Sequence, residues 1–259
     1  MHDVTSSVDF CEANWVSSNF LAEIHNSISS LIYCILGIHG LYNLSSQHLP
    51  TDKFFKLSLQ LLFASLITIG IGSFFLHACL CWLGQALDEI PMLLFNLLVI
   101  YIMAINPKAS SLDTALYTRE FSVAAIAIVF AYFAFQRFYI IFILMYGFLA
   151  ISGLATIARR SYKASPLAYG LFLVLLVTFG FIGFTSWVYE LAMCGTLIYA
   201  NININFHVIW HTFSAIGAYA GILACVAIRY PQAARLKLFP IPLVVADDTE
   251  TEALESLID

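Results

Sequence analysis

Two histidines stand one helical turn apart near the end of the chain. In the segment HVIWH at 207–211, His207 and His211 are four positions apart, so on a helix they lie on the same face and both can bind one metal ion. His77 offers a third nitrogen ligand from an earlier apolar segment. Three histidines leave the fourth position of a tetrahedral zinc ion open for water, the arrangement of a catalytic site. The pattern therefore predicts a zinc centre for metal-assisted hydrolysis.

Two further polar residues accompany the histidines in sequence. Ser73 precedes His77 by four positions, and Asp88 follows it by eleven, across a short connection around 82–84. We expect Asp88 to act as the general base on water and the Ser73 hydroxyl to face the same site. Each ionisable residue at the centre of a membrane helix costs about 2.5–3.5 kcal/mol, which favours a functional role. An aqueous proton pathway or simple hydrogen bonding between helices would use the same residues.

An acidic segment precedes the first apolar run. Asp9, Glu12, Asn14 and Glu23 carry the hard oxygen atoms that calcium prefers, although their order is not that of an EF-hand loop. A solvated acidic start to the chain would have the same composition. Four cysteines are expected on this side of the membrane, so spacing alone does not decide which of them pair. These are Cys11, Cys79, Cys81 and Cys194.

The elements that must position these residues are membrane helices. The chain has 259 residues, of which 61% are hydrophobic and 10% charged, whereas soluble domains have about 25% charged residues. Apolar runs long enough to cross a bilayer predict an all-α bundle of seven transmembrane helices, at 23–44, 54–78, 85–105, 118–136, 138–158, 166–187 and 205–229. The net charge of −5 comes mainly from an acidic tail. No basic cluster is present, so nucleic acid is excluded as a partner.

The distribution of basic residues predicts the orientation of the bundle. Ten of the eleven Lys and Arg residues fall on one side of the seven helices, and Arg137 falls on the other. The positive-inside rule then places the N-terminus in the lumen or another extracytoplasmic space and the C-terminus in the cytosol. We therefore expect an extracytoplasmic segment at 1–22, a transmembrane catalytic domain at 23–230 and a cytosolic acidic tail at 231–259.

Five segments together resemble the alkaline ceramidases, in the same order and with similar spacing. They are DFCEAN at 9–14, AEIHNSIS at 22–29, GIGSFFLH at 70–77, LDEIPM at 87–92 and HVIWH at 207–211. The alkaline ceramidases are seven-helix membrane amidases in a wider superfamily of membrane hydrolases that includes the adiponectin and progestin receptor-like proteins. The resemblance implies zinc-dependent hydrolysis of the N-acyl amide of ceramides, supported by calcium, to a sphingoid base and a fatty acid.

The resemblance also implies a role for individual residues. His77, His207 and His211 match the zinc ligands, Asp88 the residue that activates water, and Ser73 the serine beside the metal. The residues that match the family's calcium site are Asp9, the backbone carbonyl of Phe10, Glu12, Asn14 and Glu23, and Cys11 with Cys194 matches its disulfide. Phe10 stands where the family usually has Trp, which is tolerable if only its carbonyl binds calcium.

The resemblance also implies a substrate and a location. The substrate is a ceramide-type lipid drawn from the surrounding membrane lipids, and no obligate protein partner is inferred. The expected location is the endoplasmic reticulum or Golgi membrane in a eukaryote, or the inner membrane in a bacterium.

Two other classes of protein share some of these features. A receptor or lipid hydrolase of the adiponectin-receptor type would hold the same three-histidine zinc, but it has a long cytosolic N-terminal region and the reversed orientation. A proton-coupled transporter would explain intramembrane histidine and aspartate, but the sequence shows no internal repeat and no broken helices near mid-membrane.

Overall fold

The computed structural model describes residues 4–16, 18–46, 53–105, 111–199, 205–231, 235–236 and 243–244. The helices are α1 (Ile24–Ser46), α2 (Lys53–Cys79), α3 (Trp82–Ala104), α4 (Ser111–Phe135), α5 (Tyr139–Ala164), α6 (Pro166–Leu175), α7 (Phe184–Tyr199) and α8 (Phe206–Arg229), with a π-helical stretch (Leu176–Gly183) between α6 and α7. Two short antiparallel strands, β1 (Arg235–Leu236) and β2 (Leu243–Val244), follow α8. Most of the acidic tail predicted at 231–259 lies outside the described residues.

Seven helical segments in the described part of the chain are long and apolar enough to cross a membrane, the sixth formed by α6, the π-helical stretch and α7. The predicted seven-helix all-α membrane bundle is therefore confirmed. Three boundaries differ clearly from the prediction. α5 ends at Ala164 rather than at 158. α4 begins at Ser111 rather than at 118, because its charged residues Arg119 and Glu120 are exposed at the helix surface. The sixth span continues past 187 through α7, where the carboxylate of Glu190 is buried against the protein.

Local sequence signals explain where the helices near the site begin. The carboxylate of Glu12 accepts hydrogen bonds from the backbone N–H groups of His25 and Asn26, both at 2.8 Å, and so caps the first turn of α1. The side chain of Asn205 caps α8 by accepting from Val208 N at 3.4 Å. Because α8 begins there, His207 and His211 fall in its first two turns.

The most buried helices are α2, α3 and α8, which carry the predicted site, while α4 is the most exposed. α2 packs against both α1 and α3. A close approach joins α2 to α3 at Gly72, where an added Cβ would lie 2.6 Å from the backbone nitrogen of Asp88 and overlap the Leu87 carbonyl. Glycine at this position therefore allows the start of α3 to lie directly against the last turns of α2.

The segment before α1 lies over the connection between α2 and α3. Thr5 N and Ser6 N both donate to the carbonyl of Leu80 at 3.0 Å, and Glu23 N donates to the carbonyl of His77 at 3.0 Å. Leu80 is fully buried and has a positive φ of 47°, which turns the chain sharply between the two helices. The N-terminal segment is thus fixed directly above the end of α2 that carries His77.

Candidate metal centre

The three predicted histidine ligands meet in the structure. Ligand nitrogens of His77, His207 and His211 lie within 4.8 Å of one another, and all three side chains are buried. The ring centroid of His77 is 5.0 Å from each of the other two, which are 4.5 Å apart. Three imidazoles at these separations can converge on a single ion.

Hydrogen bonds orient two of the three rings. His77 Nδ1 lies 2.5 Å from Glu23 Oε2, and His211 Nδ1 lies 2.8 Å from Ser29 Oγ. Metal-binding histidines generally use their second nitrogen in this way, which leaves the first nitrogen free for the metal. In both rings the nitrogen left for a metal is therefore Nε2.

Unpaired nitrogens show that this site fits a metal ion. Among the described residues, His77 Nε2 and His207 Nδ1 are buried without a hydrogen-bond partner. A buried polar atom left unpaired costs about 1–3 kcal/mol, a cost that a coordinated ion would remove. Three buried imidazoles form a donor set that suits a transition metal, zinc among them.

Ser73 and Asp88 lie beside the histidines. Ser73 is buried, and its Oγ lies 3.4 Å from His211 Nε2. Asp88 is 9% exposed and begins the part of α3 that packs against Gly72, the residue next to Ser73. In the described part of the chain no hydrogen bond joins Asp88 to Ser73 or to the three histidines. The packing of α3 on Gly72 therefore places the backbone of Asp88 beside the turn of α2 that carries Ser73.

The residues expected to bind calcium lie together in the N-terminal segment, but their carboxylates do not converge as closely as the histidines. Asp9 Oδ1 accepts from Asn14 Nδ2 at 3.0 Å, and Glu12 caps α1. Glu23 accepts from Phe10 N at 3.3 Å. Among the described residues, only the three histidines form a group of three or more His, Cys, Asp or Glu with ligand atoms within 4.8 Å. The calcium site therefore stays a prediction.

Two observations in this segment suit a bound cation. Burial raises the pKa of Glu23 to about 8, with a further rise from the nearby Asp9 carboxylate and an opposing effect of the hydrogen bond from Asn26. Asn14 Oδ1 is buried without a hydrogen-bond partner in the described structure. A cation here would hold Glu23 ionised and satisfy the amide oxygen.

The ring of Phe10 packs against two of the three histidines. The ring centroid lies 4.0 Å from that of His207 and 4.8 Å from that of His77. The sequence predicts a role only for the backbone carbonyl of this residue. The ring instead covers two of the three histidines, so the N-terminal segment forms part of the wall of the centre.

A disulfide holds the same segment to the other side of the bundle. It joins Cys11 to Cys194 on α7, the pair implied by the resemblance, while Cys79 and Cys81 are free. Glu190, also on α7, accepts a hydrogen bond from Cys11 N at 3.1 Å. The buried Glu190 is thus a partner of the N-terminal segment.

Two contacts around the histidines were missed from the sequence. Ser29 orients His211, and Glu23 orients His77 as well as belonging to the predicted calcium site. Polar residues at helical spacing on one face of α1 were the available signal, beginning with Glu23, Asn26 and Ser30. That signal shows a polar face but does not identify its partners on α2 and α8.

Comparison with known proteins assigns this chain to a family. The sequence profile described as Ceramidase matches residues 2–239. The chain belongs to the ceramidase family.

It is 28% identical over 238 residues to a putative alkaline ceramidase of Dictyostelium discoideum, dcd3B, with 83% of each chain covered. It is 29% identical over 219 residues to an alkaline ceramidase of Arabidopsis thaliana, covering 83% of this chain and 81% of that one. With alkaline ceramidase 3 of Mus musculus it shares 27% identity over 232 residues, covering 85% and 82%. The family resemblance is confirmed, and with it the expectation that the protein is an enzyme, a hydrolase.

This member of the ceramidase family has an apolar cavity beside the histidines. Ile69, Met92 and Ser214 line it, each one turn deeper in the bundle than Ser73, Asp88 and His211 respectively. Phe95, Tyr146 and Phe179 are also part of the lining. A polar centre thus adjoins an apolar chamber, the combination that a lipid with a polar head requires.

Proposed function

We propose that the protein is a zinc-dependent amidase that hydrolyses the N-acyl amide of ceramides to a sphingoid base and a free fatty acid. The observation that carries the proposal is the buried cluster of three histidines, with Asp88 and Ser73 beside it, at the mouth of an apolar cavity. The names of the relatives, all alkaline ceramidases, support ceramide as the substrate class.

Each residue of the site has a role in this reaction. His77, His207 and His211 would hold the zinc, which when bound supplies Lewis acidity and lowers the pKa of water to about 7. Asp88 accepts the proton of the attacking water and returns it to the departing amine nitrogen. Ser73 donates its hydroxyl hydrogen to the carbonyl oxygen as negative charge develops there.

The surrounding structure supports a lipid substrate and an extracytoplasmic site. The apolar cavity receives hydrocarbon chains that enter from the bilayer, with the amide held at the level of Asp88. A disulfide between Cys11 and Cys194 suits an oxidising compartment, in agreement with the orientation predicted from basic residues. We place the N-terminal segment 1–22 in that compartment, the catalytic domain at 23–230 and the tail 231–259 in the cytosol. This corresponds to the endoplasmic reticulum or Golgi membrane in a eukaryote, or the inner membrane in a bacterium.

Product analysis tests the proposed reaction. Purified protein in detergent is incubated with an N-acyl sphingosine, and both products are quantified by mass spectrometry. We expect sphingoid base and fatty acid in equal amounts. If protein that contains one zinc per chain cleaves no sphingolipid amide, the proposal is wrong and a receptor-like or different lipid-hydrolase function takes its place.

Calcium binding to the N-terminal segment is a separate prediction. Calcium at 100 times its Kd is expected to stabilise the folded protein by about 2.7 kcal/mol, seen as a rise in Tm. The stabilisation should disappear in Asn14→Ala, because this change removes the unpaired Oδ1, and magnesium should not replace calcium. An equal rise in Tm for the native protein and Asn14→Ala would contradict the assigned ligands.

The close contact of α2 with α3 gives a further prediction. Gly72→Ala forces a methyl group onto the backbone of Leu87 and Asp88, which should cost about 1–3 kcal/mol of stability. A displacement of Asp88 by about 1 Å is enough to lower activity about 100-fold. Thermal unfolding and ceramide hydrolysis measure the two effects.

Gly147→Ala on α5 is the matched control. A Cβ at Gly147 meets no atom within 4 Å in the described structure, and alanine favours a helix over glycine by about 1 kcal/mol. This variant should be at least as stable as the native protein and fully active. If Gly72→Ala behaves like Gly147→Ala, the close approach does not position Asp88.

A further inference from the structure

Two free cysteines meet at the turn between α2 and α3, near the metal centre but outside the chemistry proposed above. Cys79 is the last residue of α2, and Cys81 caps the start of α3. Their Sγ atoms are 2.9 Å apart, which is about 0.9 Å more than the length of a disulfide bond, about 2.05 Å. The two thiols therefore lie almost within bonding distance of each other.

The backbone of the turn holds the two thiols in this position. Leu80, the residue between them, is fully buried and has a positive φ of 47°, so the chain reverses its direction there. The Cys79 thiol donates to the carbonyl of Phe75 at 2.8 Å, and the backbone N–H of Gly84 donates to Cys81 Sγ at 3.4 Å. Each sulfur is thus held by its own helix, and the two face each other across the turn.

Reagents dissolved in water can reach the pair. Cys79 is exposed and Cys81 is half-buried, and the next residue, Trp82, lines an open polar cavity at the surface. The disulfide between Cys11 and Cys194 ties down the N-terminal segment that covers this turn. The thiol pair therefore lies at the end of the bundle where another disulfide has already formed.

We propose that Cys79 and Cys81 form a redox-active dithiol site, which a small-molecule disulfide such as glutathione disulfide converts reversibly to a second disulfide. One thiolate attacks the glutathione disulfide and releases one glutathione. The other cysteine then attacks the mixed disulfide and releases the second glutathione. The pair gives up two electrons and two protons, and one glutathione disulfide becomes two molecules of glutathione.

The length of chain that each bond closes explains why the new disulfide is reversible. A disulfide stabilises a protein mainly by constraining the unfolded chain, and this effect grows with the length of the loop. The bond between Cys11 and Cys194 spans a sequence separation of 183, whereas a bond between Cys79 and Cys81 spans only Leu80. The short bond gains much less from folding and is also exposed, so glutathione should reduce it far more easily.

A redox titration of the purified full-length protein tests this inference. The protein is equilibrated at a series of ratios of reduced to oxidised glutathione, free thiols are blocked with N-ethylmaleimide, and the digested peptides are identified by mass spectrometry. At low ratios, Cys79 and Cys81 should carry neither maleimide nor glutathione, and at high ratios each should carry one maleimide. Reduction of the Cys11–Cys194 bond, measured in the same digest, should need a ratio about 100-fold or more higher, because of its longer loop.

Two variants provide the controls. In Cys81→Ser no second thiol can displace the glutathione, so oxidation should stop at a glutathione adduct of Cys79. Cys34→Ser is the matched control, because Cys34 is a half-buried free cysteine on α1 whose thiol donates to the carbonyl of Ile67 at 3.5 Å. This variant should titrate as the native protein does.

Three results would overturn the inference. In the first, both cysteines are blocked by maleimide at every ratio. In the second, oxidised native protein carries glutathione on Cys79 or Cys81 in place of a bond between them. In the third, the Cys79–Cys81 bond is reduced only together with the Cys11–Cys194 bond, which would make it a structural disulfide.

Discussion

Asp88→Asn is expected to lower the rate of ceramide hydrolysis by about 1000-fold, within the range of about 10²- to 10⁴-fold that a general base contributes. Asparagine has the same shape as aspartate, so the packing of α3 against Gly72 should persist. The amide cannot accept the proton of the attacking water. Because Asp88 makes no hydrogen bond to the histidines in the described structure, the variant should bind as much metal as the native protein. kcat and metal content, measured on the same preparation, check both statements.

Asp113→Asn is the control for the loss of one negative charge. Asp113 lies on the exposed surface at the start of α4, and its replacement should leave kcat unchanged. An Asp88→Asn protein that hydrolyses ceramide at the native rate would remove Asp88 from the mechanism. An Asp88→Asn protein that has lost its metal would instead make Asp88 part of the metal site.

Replacement of any one of the three histidines should abolish both metal binding and activity. With His211→Ala, two imidazoles remain, and the buried site loses a ligand that no described neighbour replaces. We expect the metal content to fall from one ion per chain to a small fraction, and hydrolysis to fall to background. Metal analysis by mass spectrometry and the product assay measure these effects.

A series of substitutions distinguishes the metal ligands from the residues that orient them. Ser29→Ala removes the partner of His211 Nδ1 and should weaken metal affinity by about 10- to 100-fold without abolishing it. His39→Ala is the control, because His39 lies farther along α1 and contacts Tyr219 at 2.9 Å rather than the centre. Full activity in His211→Ala, or equal losses in His211→Ala and His39→Ala, would contradict the assigned ligands.

The sequence predicts the clustering of the three histidines because their spacing carries structural information. Two histidines four residues apart share a helix face wherever that helix lies. The short connection after His77 also predicts that Asp88 returns to the same end of the bundle. The seven spans follow from hydropathy, because few sequences other than membrane helices have apolar runs of this length.

Contacts between segments that are far apart in the sequence cannot be predicted from residue spacing. Spacing did not select Cys11 and Cys194 among four cysteines, and only the family resemblance indicated this pair. Phe10 was given a role through its carbonyl, whereas its ring packs on two histidines. Ser29 was recognised as part of a motif but not as the partner of His211. These contacts depend on how α1, α8 and the N-terminal segment pack, which local patterns do not specify.

Helix ends were the least predictable part of the fold. The start of α4 was predicted too late because charged residues there lower the local hydropathy, although exposed charges are tolerated at a helix end near the membrane surface. The sixth span was predicted too short because Glu190 interrupts the apolar run. Its carboxylate accepts a hydrogen bond from the backbone N–H of Cys11, which offsets part of the cost of burying it. The sequence does not reveal this contact.

Metal removal and restoration test the central claim most directly. Ceramide hydrolysis by the purified protein is measured as prepared, after removal of bound metal by a chelator, and after addition of one equivalent of zinc. The three-histidine site predicts that activity falls to background with the metal and returns with zinc, while His211→Ala stays inactive throughout. Hydrolysis that continues unchanged in protein shown to be free of metal would contradict the proposed zinc amidase.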